Sequence, residues 1–281
     1  MKYLVLGSRG QIGSSLVSYL INQGHSVIEF DIRDGIKYDL RMPSEKLMNA
    51  IQECDFVFFL AWDVGGSVYL EQYQNTYHFI MNNVKIINTT FEELMLWQKP
   101  FIFASSQMAN MSYSSYGVTK SIGERLSHSL NGIIVKFWNV YGYETDPKKT
   151  HAITDFIDKA MNTRLIDMRT DGSESRQMLY ADDCSECLYN LSLQYDTIPR
   201  DKEYHITSFE WITIYEIAEI IAKHFSGTII QRAKSKDLIQ KDLRNEPDPW
   251  ILNFWKPKTD IHSGIAVIIK QMIKDMKVVY K

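Results

Sequence analysis

Short unbroken runs of apolar residues alternate with stretches of helical spacing through the first half of the chain. Lys2 to Leu6 carries one such run, ended by glycines, and from Ile12 to Ile21 apolar residues fall at helical spacing until Gly24 stops them. His25 to Phe30 reads as a second strand. Further apolar runs at Phe56 to Trp62, Phe101 to Ala104 and Ile133 to Trp138 are separated by helix-length segments. Unbroken rather than alternating apolar runs belong to strands covered on both faces. The pattern therefore predicts βαβ units, an α/β fold with a doubly wound parallel sheet.

From about Tyr143 the pattern becomes mixed. It predicts a helix around Thr154 to Met161, a turn at Asp171-Gly172, a second amphipathic helix around Thr213 to His224 and a last helix over Ile261 to Met276. The expected division is a sheet domain over 1–142, rejoined by about 176–206, and a smaller C-terminal lobe built mainly from 143–281. Asp237 to Pro257, with Pro247, Pro249 and Pro257, reads as an ordered surface loop of the kind that carries binding residues.

Composition narrows the class. At 281 residues, with 45% hydrophobic and 23% charged, the chain has the size and balance for one large domain with an added lobe, and not for a disordered or coiled-coil protein. Lys plus Arg at 31 against Asp plus Glu at 34 gives a net charge of -3, so neither nucleic acid nor an anionic membrane is an expected partner. No apolar run approaches the roughly 18 residues of a membrane span. Gly7, Ser8 and Arg9 interrupt the first run before any signal-peptide core forms, and three cysteines are too few for a disulfide framework, so a cytoplasmic protein is expected. Cys184-x-x-Cys187 has no second pair and reads as two small buried side chains one helical turn apart. His25, His78, His128, His205 and His224 share no spacing, so no metal site is expected.

The candidate chemistry begins in the first turn. Gly7, Arg9, Gly10, Gln11, Ile12 and Gly13 lie between the first strand and the first helix, where glycines let the backbone turn sharply and approach a pyrophosphate held at the helix N-terminus. Asp31 stands 18 residues beyond Gly13 at the end of the second strand, close to the ~20-residue spacing of a carboxylate that binds ribose hydroxyls. It would also repel a 2′-phosphate, so NAD(H) is favoured over NADP(H), with Arg9 and Arg33 as the residues that would pull the other way. Further along, Tyr116 and Lys120 stand four apart on one helix face, where a nearby ammonium stabilises a phenolate. Upstream, the strand Phe101 to Ser106 delivers a serine hydroxyl to the ligand-binding edge of such a sheet.

Together these residues resemble an extended short-chain dehydrogenase/reductase of the NAD-dependent epimerase/dehydratase family, which acts on nucleotide sugars with a Rossmann domain. The resemblance adds Asp39 and Leu40, Leu60, Ala61 and Trp62, and Asn83 within Asn82-Asn83-Val84 as cofactor contacts. It implies that Ser106 hydrogen-bonds the reacting carbonyl oxygen, Tyr116 exchanges its proton, and Lys120 tunes Tyr116 and holds the cofactor. Asn139 in Asn139-Val140-Tyr141-Gly142, Arg176, Arg244 and the closing Trp255-Lys256-Pro257 fall on the sugar-nucleotide side, with the two arginines gripping the diphosphate. Val64-Gly65-Gly66 and His151 are similar to the GDP-fucose synthase branch, which tilts the expected substrate toward a GDP-sugar and gives His151 an acid-base or sugar-binding role. A homodimer is implied as well, through two long helices of each subunit.

Departures from the family pattern shape the expected reaction. Gln107 and Met108 stand where 4,6-dehydratases carry an Asp-Glu pair, so dehydration is not expected. Met108 also replaces the cysteine base of GDP-fucose synthase, which argues against its 3,5-epimerisation. Only ten positions separate Ser106 from Tyr116, less than half the family's usual number, so the sugar site is either more open or covered by the C-terminal lobe. The leading expectation is hydride transfer at carbon 4 by an epimerase, ketoreductase or dehydrogenase. The rival class is a cofactor-sensing protein without turnover, against which the intact Ser106, Tyr116 and Lys120 argue.

Overall fold

The computed structural model describes residues 1–144, 146, 149–240 and 246–279. Its strands are β1 (Lys2–Leu6), β2 (Ser26–Phe30), β3 (Phe56–Phe59), β4 (Phe101–Ser106), β5 (Ile133–Phe137), β6 (Asn139–Tyr141), β7 (Leu165–Asp167), β8 (Ser175–Tyr180), β9 (Tyr204–Ile206), β10 (Trp211–Thr213) and β11 (Ile229–Gln231). The helices are α1 (Gln11–Asn22), α2 (Glu45–Glu53), α3 (Ser67–Tyr73), α4 (Tyr77–Trp97), α5 (Ser115–Ser129), α6 (Ala152–Thr163), α7 (Ala181–Leu193), α8 (Ile214–Lys223) and α9 (Ile261–Val279).

A parallel sheet in the order β2-β1-β3-β4-β5-β9 forms the centre. The chain leaves β1 toward β2 on one side and then crosses to β3 on the other, so the loops after β1 and β3 part at the carboxyl edge and open a crevice there. Burial of every residue of β3 and β4 explains their unbroken apolar runs, because helices cover both faces. On one face Val5, Ile102 and Val135 meet Leu16 and Leu20 of α1 and Leu188 and Leu191 of α7. On the other, Leu6, Phe59 and Phe103 meet Leu47 and Ile51 of α2 and Ile87, Phe91 and Leu94 of α4. Cys184 and Cys187 lie on α7 inside the first of these cores, and burial pushes both thiols up.

Local chemistry starts the helices. Ser114 caps α5 by accepting from the Gly117 N–H, and Thr213 and Glu216 form a reciprocal capping box at α8. After β5 the chain builds a second layer. There β6, β8 and β10 pair, β7 pairs with β11, and Phe156, Ile157, Ile217, Ile221, Ile265 and Ile268 of α6, α8 and α9 make a separate core. Between these elements the chain returns to the main sheet, with α7 against α1 and β9 at the edge beside β5. Within the stretch Asp237 to Pro257, read as a loop, Pro249–Asn253 forms a 3-10 turn. Asp248 caps it, Pro249 opens it, and Ile251 is buried beneath it. Among the described residues no helix is long and apolar enough to cross a membrane.

Candidate active site

A cavity of about 1040 Å³ opens at the crevice where the strand order reverses. That is at the upper end of the roughly 300–1,000 Å³ of ligand pockets. The β1–α1 turn forms its floor. Gly7 has φ +87°, a conformation that favours glycine, and a Cβ on Gly13 would fall 2.9 Å from the Gly7 carbonyl carbon, so the helix can start this close to the turn only without a side chain there. Gly10 leaves the first turn of α1 without a side-chain cap, so its N–H groups are available to a phosphate. Gln11 and Ile12 also line the cavity, and the Gln11 amide bridges the Val140 carbonyl at 3.2 Å and the Gly142 N–H at 2.9 Å.

The ribose end is acidic. Asp31, nearly buried, accepts the backbone N–H groups of Arg9 and Arg33 at 3.0 Å each. Arg9 itself is held by Asp34 at 3.0 Å, with Glu29 at 3.9 Å, and Arg33 reaches the Arg9 carbonyl at 3.1 Å and lies 3.9 Å from Asp146. The two cations that would serve a 2′-phosphate thus already face carboxylates. Asp39 lines the cavity with Leu40, but Arg41 grips its carboxylate at 2.7 Å and holds it below the usual carboxylate range. Leu60, Ala61 and Trp62 form the wall above β3. The Trp62 indole N–H is buried with no protein partner, a donor that a bound molecule would satisfy. An uncapped helix start, a glycine cradle, a ribose-side carboxylate and an orphaned donor in one cavity fit a dinucleotide.

At the centre, β4 ends in two serines with different partners. Ser105 donates to Glu124, whereas Ser106 accepts the Met108 N–H at 3.1 Å and hydrogen-bonds Tyr116. Tyr116 and Lys120 lie one turn apart on α5, and both line the cavity with Ser106. Burial pushes the Tyr116 phenol up to about 12, and the Ser106 hydrogen bond opposes it. The Lys120 ammonium, 3% exposed, donates to the Ala104 carbonyl at 2.5 Å and sits 3.8 Å over the Trp62 ring and 5.9 Å from the centre of the Tyr116 ring. Burial drives its pKa well down, and Glu124 counteracts. A hydroxyl, a phenol and an ammonium so arranged can polarise a carbonyl and pass one proton.

The far wall carries His151, at the start of α6. Glu144 accepts its Nδ1 at 2.7 Å and its backbone N–H at 2.9 Å. Burial raises the Glu144 carboxyl, but the His151 hydrogen bonds outweigh this and keep it below its ordinary value. Val64 and Gly65 line the cavity beside this segment, where the Gly66 N–H donates to the Lys149 carbonyl at 3.2 Å, and Asp63 accepts from Lys149 at 3.2 Å as well as from Tyr69 at 2.6 Å and Asn82 at 2.9 Å. Ile239 of the C-terminal lobe packs with Met108, Met111, Leu70 and Phe79 beside Tyr116.

Not every expected residue reaches the cavity. Asn83 is fully buried and fastens Asp63, accepting its N–H at 2.8 Å and donating to its carbonyl at 3.1 Å, so it shapes the wall without lining it. Gly66 packs against the Thr150 carbonyl. Asn139 accepts from Gln107 at 3.4 Å, and Arg176 is paired with Asp237 at 2.5 Å, outside the lining. Arg244 lies outside the described residues. Conversely, Asp34, Asp63 and Glu144 went unnoticed in the sequence. Asp63 directly follows Leu60-Ala61-Trp62, a signal that was there to read, but Glu144 is revealed only by the fold of the loop before α6.

The switch-point crevice, the glycine turn and the Ser106, Tyr116 and Lys120 set define a dinucleotide-binding protein of the short-chain dehydrogenase type. The chain belongs to the NAD dependent epimerase/dehydratase family, whose model matches residues 3–207. Among its relatives, a Methanocaldococcus jannaschii protein with the provisional name UDP-glucose 4-epimerase is 25% identical over 96% of this chain and 97% of its own. A Sinorhizobium fredii GDP-L-fucose synthase is 21% identical over 97% and 95%. An epimerase structure from Methanothermobacter thermautotrophicus shares the fold at TM-score 0.87 and 20% identity, over 99% of this chain and 94% of that one. The NAD dependent NDP-hexosamine 5,6-dehydratase TunA does so at 0.80 and 15%, over 97% and 98%.

Proposed function

We propose that this chain is a nucleotide-sugar oxidoreductase that transfers hydride between NAD(H) and carbon 4 of an NDP-hexose or NDP-heptose, as a 4-epimerase, 4-ketoreductase or 4-dehydrogenase. The observation that carries the reading is the meeting of Ser106, Tyr116 and Lys120 with the glycine turn and Asp31 in one cavity. Bound NAD supplies the hydride acceptor or donor. Ser106 holds the carbon 4 oxygen, Tyr116 takes or returns its proton, and the Lys120 charge lowers the cost of the phenolate that burial otherwise opposes. NAD rather than NADP is supported by the carboxylates Glu29, Asp31 and Asp34 around the ribose end. A cofactor-sensing protein without turnover would have no use for a Ser–Tyr hydrogen bond beside a buried ammonium, an arrangement expensive to keep in an apolar setting.

Elimination of water is not part of the proposal. Gln107 and Met108 offer no titratable pair, Asp63 is committed to Lys149, Tyr69 and Asn82, and Glu144 is committed to His151. TunA shows that the fold alone does not separate the two reactions, so the argument rests on these side chains. Val64, Gly65 and His151 on one cavity support a GDP-sugar, and the relative named for UDP-glucose supports the other base. Three free, buried cysteines fit a reducing cytoplasm. A homodimer is supported by Val118 and Ile122, exposed one turn apart on α5.

Thermal shift with NAD, NADP, GDP, UDP and their sugars tests the reading, since a ligand at 100 times its dissociation constant adds about 2.7 kcal/mol. NAD and one nucleoside diphosphate should stabilise the protein, and the sugar product should keep its carbon 6 oxygen. Failure of every nucleotide sugar to bind the NAD-loaded protein would refute the proposal, and a dehydrated product would refute its exclusion of elimination.

A further inference from the structure

Lys120 is buried without an ion-pair partner. The residue is 3% exposed, and among the described residues its one hydrogen bond goes to the Ala104 carbonyl at 2.5 Å. Glu124, one turn further along α5, is engaged by Ser105 and by Lys136 of β5, 3.4 Å away. An ammonium so placed is costly unless another group answers its charge. Three aromatic rings surround it: the Trp62 ring centre lies 3.8 Å from Nζ, the Phe103 centre 5.2 Å and the Tyr116 centre 5.9 Å. The indole is therefore the ring in close contact, and indole is also the best of the three at holding a cation over its face.

Trp62 is itself set by other rings rather than by a hydrogen bond. It stands after β3, edge to face with Phe103 at 5.7 Å between ring centres and 6.4 Å from Phe59. Its buried N–H has no protein partner. That donor lies in the plane of the ring, so a bound dinucleotide can satisfy it without disturbing the face turned to Lys120.

We propose that Trp62 is a positioning residue for the reaction: its indole face holds the Lys120 ammonium one helical turn from Tyr116, in the place a carboxylate would otherwise take. The contact joins the loop after β3 to the helix that carries both Tyr116 and Lys120. The proposal rests on the role of Lys120 in the proposed function, but its test follows the Lys120 side chain rather than turnover, so the contact and the role can fail separately.

The experiment is proton–carbon NMR of NAD-loaded protein carrying carbon-13 at the lysine ε positions, with the Lys120 signal assigned by its loss in Lys120→Met. Protons above an indole face are shifted upfield by the ring current. The Lys120 ε signal should therefore stand apart from those of solvated lysines, and Trp62→Leu should return it toward them. Replacing tryptophan throughout by 5-fluorotryptophan keeps the packing but draws electron density from the ring face. The Lys120 titration midpoint in that protein should fall by roughly half a pH unit, as expected for a weakened cation–π contact in a desolvated site. A purely structural indole would leave the midpoint in place. An unshifted Lys120 signal in the wild type, a shift that survives Trp62→Leu, or a midpoint indifferent to fluorination would each overturn the proposal. Should Trp62→Leu not fold, the wild-type shift and the midpoint of the fluorinated protein still decide.

Discussion

Gly117, directly after Tyr116, tests whether the reacting groups depend on the close seating of α5. A Cβ at this position would fall 2.9 Å from the Met108 carbonyl carbon, nearer still to its oxygen, and 3.2 Å from the Met111 oxygen. These are backbone atoms of the turn that follows Ser106, so no side chain can swing aside. Gly117→Ala therefore requires α5 to retreat by about 1 Å, enough to stretch the Ser106–Tyr116 hydrogen bond beyond useful length, and a displacement of that size costs roughly 10²-fold in rate. Overpacking should also cost about 1–3 kcal/mol of stability. The glycine turn and Asp31 lie on other elements, so NAD should still bind, weakened at most by the share that Lys120 on α5 supplies. The assays are turnover of the nucleotide sugar found by screening, NAD titration and thermal unfolding. Wild-type turnover with an unchanged melting temperature would refute the reasoning, and complete loss of NAD binding would mean that the damage is not confined to α5.

The remaining expectations follow from single contacts. NAD should bind more tightly than NADP, and Asp31→Ala should narrow that gap by removing an acceptor and a repulsive charge; titration of both cofactors checks it, and a wild-type preference for NADP would mean that Arg9 or Arg33 dominates. The Glu203 carboxyl is held down at about 2, by its His205 hydrogen bond first and Lys136 besides, against burial. Because its folded value is depressed, the stability it contributes is complete above its ordinary value of 4.5 and drains as pH falls toward 2. Glu203→Gln should thus flatten the acid limb of melting temperature against pH, and an equally steep limb would count against the pair.

What the sequence revealed depended on the range of the interaction. Strands β1, β3 and β4 were legible because burial on both faces leaves an apolar run, and Asp31 because its distance from the glycine turn is set by one helix and one strand. Tyr116 and Lys120 were legible because a single helical turn joins them. Lys136 was not: a lysine inside an apolar strand looks like an edge residue, and only the approach of Glu124 and Glu203 from other elements makes its burial tolerable. Arg176 shows the same limit in reverse. Its motif was legible, yet its pairing with Asp237 of a distant loop leaves it outside the cavity. Strands of three residues such as β6, β7 and β10 give no periodicity to read, which is why the lobe was expected only as helices and a turn.

The central claim is that hydride leaves or joins carbon 4 under proton control by Tyr116. It is tested most directly with a nucleotide hexose, chosen from the binding screen, that carries deuterium at carbon 4. The NAD-loaded protein is quenched during reaction and the nicotinamide analysed by mass spectrometry. Deuterium should appear in the reduced nicotinamide of the wild type. In Tyr116→Phe its rate of appearance should fall by at least about 10²-fold while NAD binding persists. Deuterium released to solvent instead, or an undiminished rate in Tyr116→Phe, would contradict the account.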